Sequence, residues 1–386
     1  MKANLMTRLL PRTFKCAFLA LGAVLISAGS AGAGSGASPD DVARFMAGLP
    51  PKAESPLVPL TQTPAWQHHA RVFSSAWARL DQRQLARVRA WSGENLKESQ
   101  ANMFYMFSGP DFLYADAFFP KASTYVLSGL EPVSQVPDPT MLARRSLASA
   151  LGELRSSLNS VLSYSFFQTK HMRRDLNSGQ MTGTLPILYV FLARSGKTIH
   201  EVSFVSLDKD GTVLPSQGSA NAADQGVKIV FSKGEGPRQT LYYFRTDVSN
   251  GGVANSGFLR FCEHLGTGDS FVKSASYLMH SDGFSKVRDF LLTRSVTLVQ
   301  DDSGVPVRFF EANGWMLRPH GRYRGPIRLF GSRYQAQLKE LFRKGPSSPL
   351  AFGIGYRWRA NDSNLMVGVR KIATSAQPSV PAEASR

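Results

Sequence analysis

Residues 102–133 carry the pattern that most constrains how this chain can fold. Residues 103–107 form a short apolar and aromatic run of strand length, and residues 108–111 have turn chemistry. Residues 112–119 then fit a brief helix, and residues 124–127 predict a second strand. This succession is typical of an α/β sheet. Because open α/β sheets bind ligands beyond the carboxyl ends of their strands, the turn is a candidate place for a ligand.

Two longer stretches around this unit have the periodicity of amphipathic helices. Apolar side chains recur at helical spacing over residues 66–91, with arginines between them, and a leucine stripe runs through residues 140–162. We expect both stretches to pack on a sheet. The arginines of the first stretch form either an anion-binding face or an ordinary solvated helix surface.

The pattern changes to that of strands after residue 175. Residues 185–193 are almost continuously apolar, which predicts a strand buried on both faces. Residues 199–207, 227–231 and 239–244 predict further strands, and the turns between them are those of hairpins. We therefore expect antiparallel hairpins in the middle of the chain.

A second succession of strand, helix and strand covers residues 271–302. An offset of 165 residues aligns it with the first unit and pairs Phe112 with Tyr277, a match that either duplication or a shared packing period explains. Residues 351–358 and 365–371 alternate like a closing antiparallel pair. Together the patterns predict an α/β (or α+β) fold of mixed sheets, with βαβ-like units packed by amphipathic helices.

The N-terminus has the organisation of a cleavable signal peptide. Basic residues precede an apolar run at residues 17–26, and small residues at 31–33 predict cleavage after about Ala33. The apolar run is too short to span a bilayer, and no later run reaches that length. We expect a periplasmic or secreted protein with no transmembrane segment after the signal is removed.

Composition suggests how the rest of the chain is divided. We expect a flexible lead-in at residues 34–63, an N-terminal α/β lobe at 64–175, a C-terminal α/β lobe at 176–373 and a disordered tail at 374–386. A single large domain is the alternative to the two lobes.

Charge and cysteine usage narrow the classes of partner. Removal of residues 1–33 takes away four basic side chains and no acidic ones, so the formal charge falls from +17 by four to +13, and Cys262 becomes the single cysteine. An intramolecular disulfide is then impossible, and an ordinary apolar core must stabilise the fold. Because an exported chain seldom meets nucleic acid, we expect an anionic envelope component or a small anionic ligand, unless the charge serves solubility alone.

Polar residues at predicted strand ends are the candidates for catalysis. A hydrolase would use a serine nucleophile, a histidine base and an orienting carboxylate. The glycines of an α/β-hydrolase elbow are missing, since Met106 and Pro110 stand at those positions. Serine and aspartate are also ordinary helix caps and turn residues. The candidate set is Ser108, Asp111, His280, Asp282 and Asp301.

A basic stretch at residues 318–328 is the candidate for ligand binding. Closely spaced guanidiniums clamp carboxylates or phosphates, and neighbouring aromatic rings stack on a sugar or a ring. The alternative is an exposed loop that only adds charge. The candidate set is Trp315, Arg318, His320, Arg322, Tyr323 and Arg324.

Metal and nucleotide chemistry are not indicated by any motif. The histidines have no zinc-ligand spacing, and the chain has neither a glycine-rich phosphate loop nor a dinucleotide fingerprint. We therefore predict no metal and no cofactor. Three hypotheses follow: a binding or accessory protein for an anionic envelope ligand, a periplasmic hydrolase with a Ser/His/Asp-type site, and a structural protein without a small ligand.

Overall fold

A computed structural model of the chain describes residues 36–164, 182–216, 225–346 and 348–370. The fold is α/β, as predicted: one mixed sheet of ten strands has helices packed against it. The strands are β1 (Asn102–Tyr105), β2 (Thr124–Gly129), β3 (Lys197–Leu207), β4 (Val213–Pro215), β5 (Gln225–Lys233), β6 (Gln239–Arg245), β7 (Gly268–Val272), β8 (Ser295–Gln300), β9 (Trp315–Gly321) and β10 (Asn364–Arg370). Their order across the sheet is β4-β3-β5-β6-β2-β1-β7-β8-β10-β9.

The helices come in two groups along the chain, one largely before β3 and one after β6. The first group is α1 (Pro39–Met46), α2 (Val58–Thr61), α3 (Pro64–Leu80), α4 (Ala86–Asn95), α5 (Phe112–Phe118), α6 (Pro139–Arg145), α7 (Leu147–Tyr164) and α8 (Leu185–Arg194), with a π-helical turn (Asp81–Leu85) between α3 and α4. The second group is α9 (Asn250–Ala254), α10 (Phe258–His264), α11 (Ser285–Arg294) and α12 (Ala336–Lys344).

The two groups of helices cover opposite faces of the sheet. Side chains of α1, α3, α5, α7 and α8 share one apolar core with Tyr105, Tyr125 and Phe231 of the sheet. Side chains of α10, α11 and α12 share the other core with Phe104 and Val126, which point away from the first. Strands in the middle are thus buried on both sides, as expected where helices cover both faces.

The unit at residues 102–133 is confirmed as strand, helix and strand. β1 and β2 pair in parallel, with Met103 opposite Tyr125, and α5 connects them. The Asp111 side chain accepts a hydrogen bond from the Tyr114 backbone N–H, which caps α5 at its N-terminus and fixes where the turn ends.

A change in winding direction lies between β1 and β7 in the middle of the sheet. Strands β6, β2, β1, β7 and β8 are all parallel. The connection from β1 to β2 runs to one side with α5 on the first face, while that from β7 to β8 runs to the other with α11 on the second face. Because crossovers are right-handed, connections that run in opposite directions place their helices on opposite faces of the sheet. A crevice forms between the two strands from which these connections diverge.

Two of the predicted strands are wrong. Residues 185–193 belong to helix α8, which contacts α1, α5 and α7, and all nine of these side chains are buried. A continuous apolar run fits a fully buried helix as well as a fully buried strand, so periodicity could not separate them. Residues 351–358 form only an isolated bridge between Ile354 and Arg357, because Gly355 takes a left-handed conformation. The antiparallel partner of β10 is instead β9.

The predicted division into lobes stays a prediction. β1 and β2, from the first range, hydrogen-bond to β7 and β6 of the second within one sheet. The predicted signal peptide and tail, and the predicted boundary near residues 170–180, lie outside the described residues. An offset of 165 residues places α5 on residues 277–283, which form two 3-10 turns before α11 begins. None of the helices in the described ranges combines the length and the apolar composition that a membrane span requires.

Candidate functional site

A cavity of about 390 Å³ opens beyond the carboxyl ends of β1, β2, β6 and β7. This is the crevice at the change in winding direction, where ligands bind in open α/β sheets. The walls are formed by residues 105–109, 128–131, 246–248 and 273–276, together with Asp111, Leu278 and Phe284. The turn at 108–111, singled out from the sequence, therefore lies at the cavity.

An ion pair buried in the protein forms part of the cavity wall. Lys273 Nζ lies 2.7 Å from Asp111 Oδ2, and the two side chains are 3% and 2% exposed. Tyr105 donates its hydroxyl hydrogen to the same carboxylate oxygen at 3.1 Å. The ammonium also lies 3.9 Å from the centre of the Tyr114 ring, a cation–π contact. The ends of two strands, β1 and β7, and the N-terminus of α5 thus meet at this ion pair.

Burial and neighbouring charge oppose each other at Asp111. Burial raises the pKa of this carboxyl, whereas the Lys273 ammonium and the bonds from Tyr114 and Tyr105 lower it. Burial and the nearby Asp111 charge raise the pKa of Tyr105 well above its usual value, which keeps its hydroxyl protonated as a donor. The pair holds its polar groups in fixed positions in surroundings of low dielectric. Hydrogen bonds and charge interactions with these groups are stronger there than in water.

Ser108 joins the ends of two strands. Its Oγ accepts a hydrogen bond from the Ser128 backbone N–H and donates one to the Ser128 carbonyl, each at 3.2 Å. Ser128 Oγ in turn donates to the Met106 carbonyl at 2.7 Å. The Ser108 hydroxyl lines the cavity, but both its hydrogen-bonding roles are occupied by backbone.

The wall after β7 is a backbone of unusual conformation. Ser274, Ser276 and Tyr277 have positive φ angles of 53°, 52° and 55°, a region that residues other than glycine seldom adopt. Such a conformation persists only where surrounding contacts enforce it, and it is frequent at functional sites. We refer to residues 274–277 as the left-handed loop.

The segment after β8 provides the contacts that hold this loop. Asp301 Oδ2 accepts a hydrogen bond from the Ser274 N–H at 3.0 Å. The Ala275 N–H donates to Ser303 Oγ at 2.8 Å, and the Tyr277 hydroxyl donates to Asp302 Oδ2 at 2.6 Å. Asp301, a predicted catalytic residue, thus lies behind the cavity wall and supports it.

The two adjacent carboxyl groups are deeply buried. Burial and the neighbouring Asp302 charge raise the pKa of Asp301, while the bonds from Ser303 and Ser274 lower it. Burial also raises the pKa of Asp302, opposed by the bonds from Tyr277 and Asn364. Each carboxyl therefore takes up a proton more readily than an exposed one.

His280 and Asp282 do not line the cavity. They lie on the two short 3-10 turns between the left-handed loop and α11. Burial, with the nearby charges of Arg333 and Arg308, lowers the pKa of His280 to about 4, and its Nε2 has no hydrogen-bond partner among the described residues. Asp282 is exposed. The catalytic candidates are therefore divided: Ser108 and Asp111 meet at the cavity, and the other three do not.

The basic candidates lie at the far edge of the sheet. Trp315, Arg318 and His320 are part of strand β9 instead of a loop, and Trp315 is buried. Arg318 and His320 line a second cavity of about 420 Å³, formed also by the C-terminal end of α4 and by β8 and β10. The His320 ring packs edge-on against Trp91 at 5.0 Å, and burial, then Arg318, lowers its pKa.

The remaining basic candidates follow β9. Tyr323 is buried and accepts a hydrogen bond from the Gln335 N–H, so its ring is not open for stacking on a ligand. Arg324 forms an ion pair with Asp362 at 3.3 Å, whereas Arg322 is exposed and has no ion-pair partner among the described residues. The six residues thus do not form one binding loop.

Lys273 and Tyr105 are the site residues that the sequence did not single out. Lys273 directly follows a strand buried along its whole length, and a charged residue at the end of such a strand was the available signal. Its partner lies 162 positions earlier in the chain, and nothing local in the sequence connects the two.

The chain matches no family model, no curated protein and no solved structure at a significant level. Among the residues that the structure describes, no group of three or more His, Cys, Asp or Glu side chains is placed to hold a metal ion.

Proposed function

We propose that this chain is a binding protein for a small organic molecule, which occupies the cavity at the ends of β1, β2, β6 and β7. The observation that carries the proposal is the Asp111–Lys273 pair, buried in the wall of a cavity at the winding change. A cavity of this size, largely apolar and with a few fixed polar groups, is the usual form of a small-molecule site.

The cavity walls favour a ligand with an apolar part and a polar head. Met106, Phe107 and Phe284 supply apolar surface, and Leu278 at the rim is partly exposed. Hydroxyl groups and the Asp111–Lys273 pair supply hydrogen-bond donors and acceptors. Three acidic residues and one lysine line the cavity, so its lining has a net negative charge. We therefore expect the polar head of the ligand to be neutral or cationic.

A thermal-shift screen tests this proposal. Purified protein is heated with defined compounds, including monosaccharides, amino acids, polyamines and nucleosides, because a ligand that binds only the folded state raises Tm. Each compound that raises Tm is then titrated by calorimetry into Lys273→Met and Lys197→Met. Lys197 forms the matched control, since it pairs with Asp116 at the same 2.7 Å and is equally buried but does not line the cavity.

The expected result is loss of binding in Lys273→Met and retention in Lys197→Met. Binding that survives equally in both variants refutes the assignment of the cavity as the site. Loss of binding in both variants would indicate that removal of any buried lysine destabilises the protein. It would also refute the cavity assignment, because binding would then not depend specifically on a residue of the cavity wall.

A hydrolase at the same cavity is the second candidate. Ser108 and Asp111 line one cavity, which favours it, but the serine hydroxyl is already bonded to Ser128 and His280 lies elsewhere. Hydrolysis of chromogenic esters that disappears in Ser108→Ala would support this function. Equal rates in the wild type and the variant would remove it.

An anionic envelope ligand remains a proposal for the second cavity. Arg318 there has no ion-pair partner among the described residues, and Lys97 lines the same space, although Glu94 and Glu98 do too. Retention on anionic envelope fractions at low salt should fall in Arg318→Gln. Unchanged retention removes this candidate.

Export supports a role in the cell envelope and is proposed from the sequence of residues 1–33. Sequencing the N-terminus of protein recovered from the producing cell tests it. A mature chain that begins near residue 34 is the expected result, and an intact N-terminus in a cytosolic extract would contradict it.

A further inference from the structure

An exposed apolar and basic segment, which we call the projection, lies between β9 and β10 in the chain. The 3-10 segment Arg328–Arg333 and the next residue present Leu329, which is 79% exposed, and Tyr334, which is 54% exposed. Leu329 has the highest exposure among the large apolar side chains in the described ranges. A single exposed leucine is common on protein surfaces, but this one has fixed aromatic rings and exposed arginines as neighbours in the chain.

Aromatic contacts hold the projection against the rest of the protein. The Phe330 ring, one residue after Leu329, packs 4.9 Å from Tyr277 and 5.2 Å from Tyr356. Tyr334 stacks on the buried Tyr323 at 6.0 Å. Because these rings fix the backbone on both sides, Leu329 is held away from the protein instead of folding back onto it.

Several arginines near Leu329 in the chain have no ion-pair partner among the described residues. Arg322, Arg328 and Arg333 are exposed and form no ion pair with any described residue. Arg308 lies in the same neighbourhood, since its charge and that of Arg333 both act on the pKa of His280. Asp362, an acid of this surface, is already shared by Arg324 and Arg357.

We propose that the surface formed by Arg322, Arg328, Leu329, Arg333 and Tyr334 docks on an anionic lipid bilayer. Leu329 enters the interface between headgroups and acyl chains, Tyr334 lies at headgroup level, and the arginines contact lipid phosphates. A guanidinium group can bind two phosphate oxygens at once, and the negative surface potential of anionic lipids attracts arginines over about a Debye length. A soluble polyanion would meet the arginines but would give Leu329 no apolar partner.

This docking is independent of what the cavity binds, although the two regions adjoin. Phe330 of the projection packs on Tyr277 of the left-handed loop, and residues 274–276 of that loop line the cavity. The projection would therefore place the cavity wall close to the bilayer.

Co-sedimentation with lipid vesicles tests the proposal. The purified protein is mixed with vesicles of phosphatidylcholine alone or with about one-third phosphatidylglycerol, and the bound fraction is measured. We expect binding to the anionic vesicles only. Arg328→Gln/Arg333→Gln should reduce the partition coefficient roughly 25-fold, about five-fold per arginine. Leu329→Ser should reduce it several-fold with no change of charge.

The control is Arg71→Gln/Arg79→Gln, which removes the same charge from the exposed surface of α3. Far-UV circular dichroism verifies that every variant is folded, and because all the substituted side chains are exposed the folded state is expected to be retained. Equal loss of binding in the two double variants would mean that net charge alone drives association, and would overturn the proposal.

Binding to inorganic polyphosphate separates a bilayer from a soluble polyanion. We expect Leu329→Ser to bind polyphosphate like the wild type while binding vesicles less tightly. If Leu329→Ser binds anionic vesicles as tightly as the wild type, no apolar insertion occurs and the assignment to a bilayer is wrong.

Discussion

Replacing Lys273 with methionine removes the cation from a buried pair. Among the described residues, the Asp111 carboxylate then keeps the Tyr105 hydroxyl and the Tyr114 N–H as its hydrogen-bond donors. Breaking a buried ion pair on one side costs about 3–5 kcal/mol, because the remaining charge has been taken out of water without its partner. Asp111→Asn should cost a similar amount, since it leaves the Lys273 ammonium uncompensated.

The double variant Lys273→Met/Asp111→Asn should cost much less than the sum of the two. An asparagine still caps α5 and accepts from Tyr105, and methionine keeps an apolar contact with the Tyr114 ring. With neither charge buried, the cost should be about 2 kcal/mol or less. The coupling energy between the two substitutions is then several kcal/mol.

Urea unfolding followed by far-UV circular dichroism measures these free energies of unfolding. In Lys273→Met the cation that lowers the pKa of Asp111 is gone, so burial raises that pKa further and the carboxyl takes up a proton as the pH falls. The cost of Lys273→Met should therefore be smaller at about pH 5 than at about pH 8. Additive costs in the double variant, or a pH-independent cost in Lys273→Met, would refute the reasoning.

Two further predictions concern Asp269 and Gly355, which lies next to the Asp301 carboxyl group. Burial raises the pKa of Asp269 from 3.8 to about 6, so between those pH values the folded state holds a proton that the unfolded state has lost, and stability falls as the pH rises. Asp269→Asn, which still accepts from the Gln100 N–H, should gain about 3 kcal/mol relative to the wild type between about pH 4 and pH 7 in urea titrations; a pH-independent difference would contradict this. A Cβ on Gly355, whose φ is +60°, would lie 1.8 Å from Asp301 Oδ2, so Gly355→Ala should lower stability by about 2 kcal/mol or more. The control Gly93→Ala, in a helix with no neighbour within 4 Å, should stabilise by up to about 1 kcal/mol, and equal urea midpoints for the two variants would contradict the assignment.

Local patterns were sufficient for the elements that are short and punctuated. The unit at residues 102–133 was predictable because Ser-Gly-Pro-Asp separates strand from helix and Asp111 caps that helix. Helix α8 was not, since its side chains are buried on every side and leave no polar stripe to reveal the period. The strand β9 was missed because Pro319 and the basic residues around it favour a loop, and an edge strand tolerates both.

The parts of the site that the sequence did not predict depend on contacts between residues far apart in the chain. Ser108 and Asp111 were found because the turn that carries them is local. Lys273 and the left-handed loop depend on the pairing of β1 with β7, which no local signal announces. A positive φ at Ser274 or Tyr277 is imposed by bonds from Asp301 and Asp302, and serine and tyrosine at those positions give no hint of it.

The ion pairs of helix α5 are better explained by their effect on the position of the helix than by a contribution to the stability of the fold. Its Asp111 pairs with Lys273 after β7, and its Asp116 pairs with Lys197 at the start of β3, so ion pairs join one short helix to strands on both sides of β1 and β2. Apolar residues of similar volume would often give equal or greater stability, because desolvation offsets most of the attraction. They would also let the helix settle in several positions, whereas each pair is satisfied in one. Since the N-terminus of α5 borders the cavity, fixing the helix fixes Asp111 relative to the left-handed loop across the crevice. The Asp111–Lys273 pair, which we assign to ligand binding, thus also helps to hold the cavity wall in place.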